Sequence, residues 1–374
     1  MLTGIFFCVR KTAAVSNRSK NHTKVFATFV NTRNVARRQK VVDVFEKTKP
    51  YILPLILLVF IGLMLAFPTH YLTATRKGLS LFAHSILPAI FPFLFLSSVL
   101  GKTDFIKDVS RSFEKPIKFL FGTSSYGAYV LFSSLICGYP VGALTTYELY
   151  KDGRISSRDA RSFLPFTSTA GPIFILATVG GAIFGDKDIG LVILLSHYAG
   201  TLINGLLWRR RNIRLLTDNV EPCALTHAYG RVHALIDNDG RDIVGDSIVK
   251  STTQMLTLGG YIVLFGLLID TLCLLPFVES LSPILKSLLF SLFEMTRGVA
   301  TCTTIPFKWL SVSFATLTVT FGGLGVNMQN FHFLSKCKCP MKEVVLSKIS
   351  QGILAFFCAI IFSLIFFNIF GTNY

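Results

Sequence analysis

Charge is what this chain has least of. Of its 374 residues only 15% are Asp, Glu, Lys or Arg, while 51% are hydrophobic and the mean hydropathy is +0.57. Residues 50–75, 78–101, 119–147, 162–185, 189–208, 251–269, 309–335 and 349–374 carry no Asp, Glu, Lys or Arg, and 281–293 adds a shorter, interrupted apolar stretch. A bilayer crossing needs roughly 20 apolar residues, so the chain reads as an all-α, polytopic membrane bundle of about 8–9 hydrophobic segments. Acids are scarcest, 20 against 37 Lys and Arg, for a net charge of +17. The basic residues gather at 10–49, 102–118, 151–161, 209–214 and 336–348, as the positive-inside rule expects of cytoplasmic connections. None of these runs is interleaved with aromatics that would stack bases. Membrane lipid is therefore an expected partner and nucleic acid is not.

Catalytic signatures are missing as well. There is no His-Glu-x-x-His, no Gly-x-Ser-x-Gly and no phosphate-binding Gly-x-x-x-x-Gly-Lys. Intramembrane catalysis would need convergent acids or histidines, and only His84, His197 and Glu294 are on offer. The eight cysteines are scattered; Cys337-x-Cys339 on a basic loop is the closest pair and lacks the further ligands of a zinc site. No enzyme activity, cofactor or metal is expected. The 35 phenylalanines suit lipid-facing and helix-packing surfaces.

Glycine is present where it matters most. Gly138-Tyr139-Pro140-Val141-Gly142 interrupts one uncharged span and Gly322-Gly323-Leu324-Gly325 another, at an offset of 184 (322 − 138). Glycine adds backbone freedom and proline removes a donor, so both weaken helices. Inside a bilayer the freed backbone groups must be satisfied by protein or by a watery cavity. Paired interruptions in the two halves of a membrane chain point to a transporter's binding site. The organisation that follows is a basic N-terminal extension (1–49), a first transmembrane repeat (50–210), a polar linker (211–248) and a second repeat (249–374), the two repeats read as inverted. The extension is expected to be cytoplasmic, with no signal peptide. Its Asn21-His22-Thr23 matches a glycosylation acceptor, a pattern common by chance. Asp237-Asn238-Asp239-Gly240 in the linker reads as a turn, since the closing acid of a calcium loop is absent. With the N-terminus inside, the basic loops all stay inside only if 119–147 dips in and returns at Gly138 to Pro140, so a re-entrant or strongly broken element is expected there.

Several motifs resemble the sporulation integral membrane proteins of the YlbJ type, built on the nucleoside-recognition (Gate) domain. They are Leu87-Pro88-Ala89-Ile90-Phe91-Pro92-Phe93, Cys137-Gly138-Tyr139-Pro140-Val141-Gly142-Ala143, the run from Phe166 to Pro172, Leu195-Ser196-His197-Tyr198-Ala199-Gly200, Phe293-Glu294-Met295-Thr296-Arg297-Gly298 and Gly322 to Gln329. The resemblance covers about residues 50 to 370. It implies a transport-like protein in the membrane around the developing spore, moving the small aromatic dianion dipicolinate; an oligomer or other sporulation membrane proteins are candidate partners. The family often has Asn within the stretch that is 167–172 here, and a His where this chain has Asn327. The long extension is also unlike the family's usual start.

Candidate site residues follow from the breaks. Gly138, Tyr139, Pro140 and Gly142 form the first wall. Thr167, Ser168, Thr169, Gly171 and Pro172 sit in an uncharged span, and a helix restarting at Pro172 would aim its positive dipole end at an anion without any buried lysine. The competing reading is a kinked helix whose hydroxyls bond back to the backbone. Gly322, Gly323, Asn327 and Gln329 form the opposing wall. His197 and Glu294 are coupling-ion or proton candidates; against this, His197 pairs structurally, and Glu294 forms an i,i+3 ion pair with Arg297. The expected cargo is a small anionic metabolite. A nucleoside or nucleobase permease and a non-transporting spore-assembly scaffold are the alternatives, although a scaffold gives no reason for paired breaks.

Overall fold

The structure is a computed structural model that describes residues 51–100, 105–217 and 243–369. The N-terminal extension with Asn21, and the turn at Asp237 to Gly240, lie outside the described residues. Two compact units divide at His70. The first contains helix α1 (Tyr51–Ala66), closed by the Phe67 N–H donating to the Leu63 carbonyl at 2.9 Å. Its Tyr51, Leu53, Leu58 and Leu65 are exposed, as a lipid-facing helix requires.

Helix α2 (Pro68–Leu81) runs through a wide π-type turn (Phe82–Ile86) into α3 (Leu87–Leu100). The second unit continues with α4 (Phe105–Ser112), α5 (Glu114–Phe121), α6 (Tyr126–Cys137), α7 (Val141–Lys151), α8 (Ser157–Ser162), the π-type helix α9 (Phe174–Ile183) and α10 (Lys187–Thr217). After the linker come α11 (Ile243–Leu272), α12 (Pro276–Glu279), α13 (Pro283–Phe293), α14 (Met295–Cys302), α15 (Lys308–Phe321), α16 (Gly323–Leu334) and α17 (Met341–Ile369). No strand occurs among the described residues. Local chemistry sets many ends. Ser156 and Asp159 form a reciprocal capping box for α8, Ser282 caps α13 with Pro283 in its first turn, and Gly322 ends α15 in the left-handed region at φ 79°.

The span count corrects the expectation of eight or nine. Among the described residues four helical stretches are long and apolar enough to cross (Lys187–Thr217, Ile243–Leu272, Lys308–Cys337 and Met341–Asn368), and two bent pairs bring the total there to six at most. The difference arises because uncharged stretches such as 119–147 and 162–185 are spent on short helices that stop at breaks. Residues 119–147 do not cross straight: α5 and α6 meet at 84°, and α7 then folds back on α6. A β-carbon on Gly142 would lie 2.7 Å from the Ser134 β-carbon, eight residues earlier, whereas a continuous helix would carry them about 12 Å apart. Helices α13 and α14 fold back in the same way, with Gly298 against the backbone of Ser291.

The two repeats are visible in element order, and they correct the register. Each reads as a hairpin, a broken helix and a long helix: α6–α7, α8–α9, α10 in the first; α13–α14, α15–α16, α17 in the second. Helices α7 and α14 start 154 residues apart (295 − 141), as do α10 and α17 (341 − 187). The offset of 184 instead matched a hairpin tip to a helix break. Glycine marks close backbone approach at both kinds of interruption and so does not tell them apart. The inversion appears in the ion pairs. Arg161 on α8 and Arg211 on α10 hold Glu343 in the first turn of α17, beside the α7–α8 and α16–α17 loops. Asp186, just before α10, meets Lys308 at the start of α15 at 3.8 Å, beside the α9–α10 and α14–α15 loops. Arg211 lies 24 residues along α10 from Lys187 (211 − 187), about 36 Å by helical rise, so the two sets mark opposite faces.

With lipid outside, packing and internal hydrogen bonds rather than water-driven burial hold such helices together. Gly200 lets α10 approach α17, where a β-carbon would meet Ala355 at 2.6 Å. Buried hydroxyls bond back along their own helices, as Ser196 to the Val192 carbonyl (2.7 Å) and Thr316 to that of Val312 (2.8 Å).

Candidate functional site

The interruptions converge. Gly138, at φ 81° and ψ −175°, is the tip of the first hairpin. Its missing side chain admits the break after α8, where a β-carbon would lie 2.6 Å from the Gly171 nitrogen. The second hairpin tip is Glu294, and Gly323 (φ 68°) lies against it, its would-be β-carbon 3.2 Å from the Glu294 nitrogen. In each repeat, then, a hairpin tip rests on the break of the next helix.

Glu294 caps α14. With extended backbone (φ −141°), its carboxylate accepts from the Thr296 N–H and hydroxyl and the Arg297 N–H, each at 2.8 Å. The expected Glu294–Arg297 side-chain pair does not form. A residue in the extended conformation is not on the helix face, and the Arg297 guanidinium instead grips Asp270 on α11 bidentately at 2.6 and 2.7 Å. His197 is fully buried. Its Nε2 accepts from the Ala170 N–H (2.9 Å), so in a neutral ring the Nδ1–H donates to the Thr320 hydroxyl (2.8 Å). The histidine thus ties one repeat's break to the other repeat's helix.

The 167–172 stretch is satisfied largely within the protein. Thr169 N–H donates to Ser134 Oγ at 3.2 Å and Asn330 donates to Ser168 Oγ at 2.6 Å; Thr167 is buried. Its place corrects the expectation of no buried lysine, because Lys348 on α17, 2% exposed, donates to the Ser168 carbonyl (2.8 Å) and Gln351 Oε1 (3.0 Å). Lys348 adjoins a basic loop in sequence, which hid it; its position one residue before an uncharged span was the available signal. Gly142 packs on the Thr167 carbonyl, and Pro172 is part-buried beyond the break.

The tips surround a small cavity of about 30 Å³, lined by Tyr139, Phe174, Glu294, Thr296, Gly322 and Gln329 among others. Tyr139 Oη meets Met295 Sδ across it. Pro140 and Gln329 also line a second cavity of about 320 Å³ with Lys250 and His332. Thr296 also lines a third, about 670 Å³, with Lys286 and Arg297. Of the sequence candidates, Tyr139, Gly322, Gln329 and Glu294 reach the small cavity, while 167–172 does not. Met295, Thr296, Asn330 and Lys348 were not anticipated. Asn327 donates to the Phe321 and Gly323 carbonyls at 3.0 and 2.7 Å. The side-chain oxygens of Asn327, Gln329 and Asn330 are nonetheless buried without a protein partner among the described residues, an unusual cost for native structure. Among the described residues no cluster could hold a metal. Cys337 and Cys339 sit in an apolar core, and burial pushes the Cys339 thiol up to about 12.

No family model and no solved structure matches the chain. It is 26% identical over 323 residues to the sporulation integral membrane protein YlbJ of Bacillus subtilis (strain 168), covering 78% of this chain and 77% of that protein. That similarity spans both repeats and supports the resemblance carried by the motifs. With the apolar helices it makes this a multi-pass integral membrane protein.

Proposed function

We propose that this membrane protein acts in sporulation, as its relative's name indicates, and transports a small organic anion through the passage between the two hairpin tips. Dipicolinate is the anion that the family resemblance implies. One observation carries the transport reading: a small cavity at the meeting of two inverted hairpins, sharing lining residues with a larger cavity on either side and walled by Gln329 with an unbonded amide oxygen. Discontinuous helices around a mid-passage site are how secondary transporters satisfy backbone and bind cargo. Cations line both outer cavities, Arg297 and Lys286 on one and Lys250 on the other, with Arg297 held by Asp270 and Lys250 by Glu148. A second reading, a nucleoside or nucleobase permease, is favoured by the inner lining itself, which holds the Glu294 carboxylate and no cation.

The test is uptake by vesicles carrying the purified protein, with dipicolinate, picolinate and a nucleoside as separate cargoes. Saturable dipicolinate flux is expected. Nucleoside flux without dipicolinate flux would replace this reading by the second, and absence of flux for every cargo would leave the scaffold alternative.

A further inference from the structure

Helix α11 runs the length of the passage. Lys250, Thr257 and Tyr261 line the cavity on one side, Leu258, Tyr261 and Ile262 line the small central cavity, and Asp270 engages Arg297 at the third. Lys250 and Asp270 are the charged residues bounding the uncharged 251–269 window. They lie 20 residues apart (270 − 250), about 30 Å along the helix, which is the thickness of a bilayer's hydrocarbon core. Each is paired to a different hairpin. Lys250 Nζ contacts Glu148 on α7 of the first, both side chains 32% exposed. Asp270 holds Arg297 on α14 of the second, at 13% and 29% exposure. The two pairs have opposite polarity along α11, yet each places its cation on a cavity wall.

We propose that Glu148–Lys250 and Asp270–Arg297 are the two gates of the passage, and that a carboxylate of the cargo opens each by taking the protein carboxylate's place on the cation. This rests on the anion-transport reading. The exchange is between like groups: a guanidinium or an ammonium pairs with one carboxylate as readily as another. The Glu148–Lys250 pair is part exposed and weakly held, whereas the bidentate Asp270–Arg297 pair is tighter and yields to a carboxylate that offers the same two-point fit. An incoming anion keeps the cation paired while the hairpin is released from α11, and the displaced protein carboxylate turns to water in the opening cavity. A neutral cargo offers no such exchange.

The experiment uses the full-length protein with native cysteines replaced and a single reporter, Ile262→Cys, which lies on the small central cavity and is 8% exposed in the parent. An impermeant maleimide is added to vesicles from one side at a time. Glu148→Gln should raise labelling about fivefold from the face that holds Arg161 and Arg211 only, and Asp270→Asn by at least that factor from the opposite face only, the population shifts expected on losing a part-exposed pair and a tighter bidentate one. Glu148→Lys combined with Lys250→Glu should return labelling to the parent rate. Dipicolinate, but not its dimethyl ester, should raise labelling in the protein with both pairs intact. Unchanged labelling in both single variants, or a reversed pair as reactive as Glu148→Gln, would overturn the gates. Side-selective labelling that ignores dipicolinate would keep the gates and overturn the carboxylate exchange, while dipicolinate uptake measured on the same vesicles tests the anion reading separately.

Discussion

Replacing Gly138 by alanine separates backbone strain from close approach, because Gly153 provides a matched control. Both have positive φ, 81° and 69°. A β-carbon at Gly153 meets nothing within 4 Å, whereas at Gly138 it would sit 2.6 Å from the Gly171 nitrogen and 3.0 Å from its α-carbon. Alanine with positive φ costs about 1–2 kcal/mol from its own backbone. Gly153→Ala should lose about that much. At Gly138 the extended ψ of −175° puts alanine in a region that is essentially glycine-only, costing about 1–3 kcal/mol. Relieving the overlap then requires moving the 170–171 backbone by nearly 1 Å, and such overpacking costs about 1–3 kcal/mol more. The expected total is about 2–6 kcal/mol against about 1–2 for the control. Both variants would be purified in detergent, melted with a thiol-independent fluorescence readout and assayed for uptake. Gly138→Ala should melt well below Gly153→Ala and lose nearly all uptake, while Gly153→Ala stays close to the parent. Equal melting temperatures with equal uptake would refute the contact between hairpin tip and helix break on which the site is built.

Gln329→Leu should cut uptake at least tenfold with little change in melting temperature, because its amide oxygen has no partner in the fold to lose; a melting temperature that falls as far as uptake would make it a structural residue. Lys348→Met should destabilise by about 1–3 kcal/mol through the Ser168 carbonyl left short of a donor, and more than Lys250→Met, whose side chain is part exposed; the reverse order in thermal melts would contradict the buried placement. Because the face holding Arg161, Arg211 and Lys336 is the basic one, the positive-inside rule makes it cytoplasmic. In a cysteine-free version, Gly185→Cys should then react with impermeant reagent on intact cells and Gly153→Cys only after permeabilisation, both being exposed glycines with open space around them; labelling in the opposite pattern would invert the topology.

The class of fold was legible because a bilayer imposes a length on apolar segments and a penalty on charge, and both are visible residue by residue. The fold-back at Gly138 to Pro140 was legible for a related reason: only a returning chain keeps the basic loops at 102–118, 151–161 and 209–214 on one face. The second hairpin was not. Its tip is Glu294 rather than glycine, and a carboxylate used as a helix cap cannot be told in sequence from one that pairs with the arginine three residues on. The outcome depended on whether Glu294 is helical or extended, a choice made by tertiary contact with Gly323.

The same limit explains Lys348. From sequence it closes a basic loop and belongs with solvent; in the structure α17 begins at Met341, so Lys348 is already two turns inside the helix and turned toward the break at Ser168. A buried ammonium is costly unless its donors are taken, and the broken 167–172 backbone is one of the few places in an apolar bundle with carbonyls to spare. The break and the lysine therefore satisfy each other. This shifts the chemistry expected of that stretch: its hydroxyls and carbonyls serve the protein's own polar groups, from Ser134, Asn330 and Lys348, and the groups left unbonded lie one helix away on α16. If cargo binds where the protein has unspent hydrogen-bonding capacity, Gln329 and its neighbours on α16, rather than the serine and threonines before Pro172, are where it is recognised.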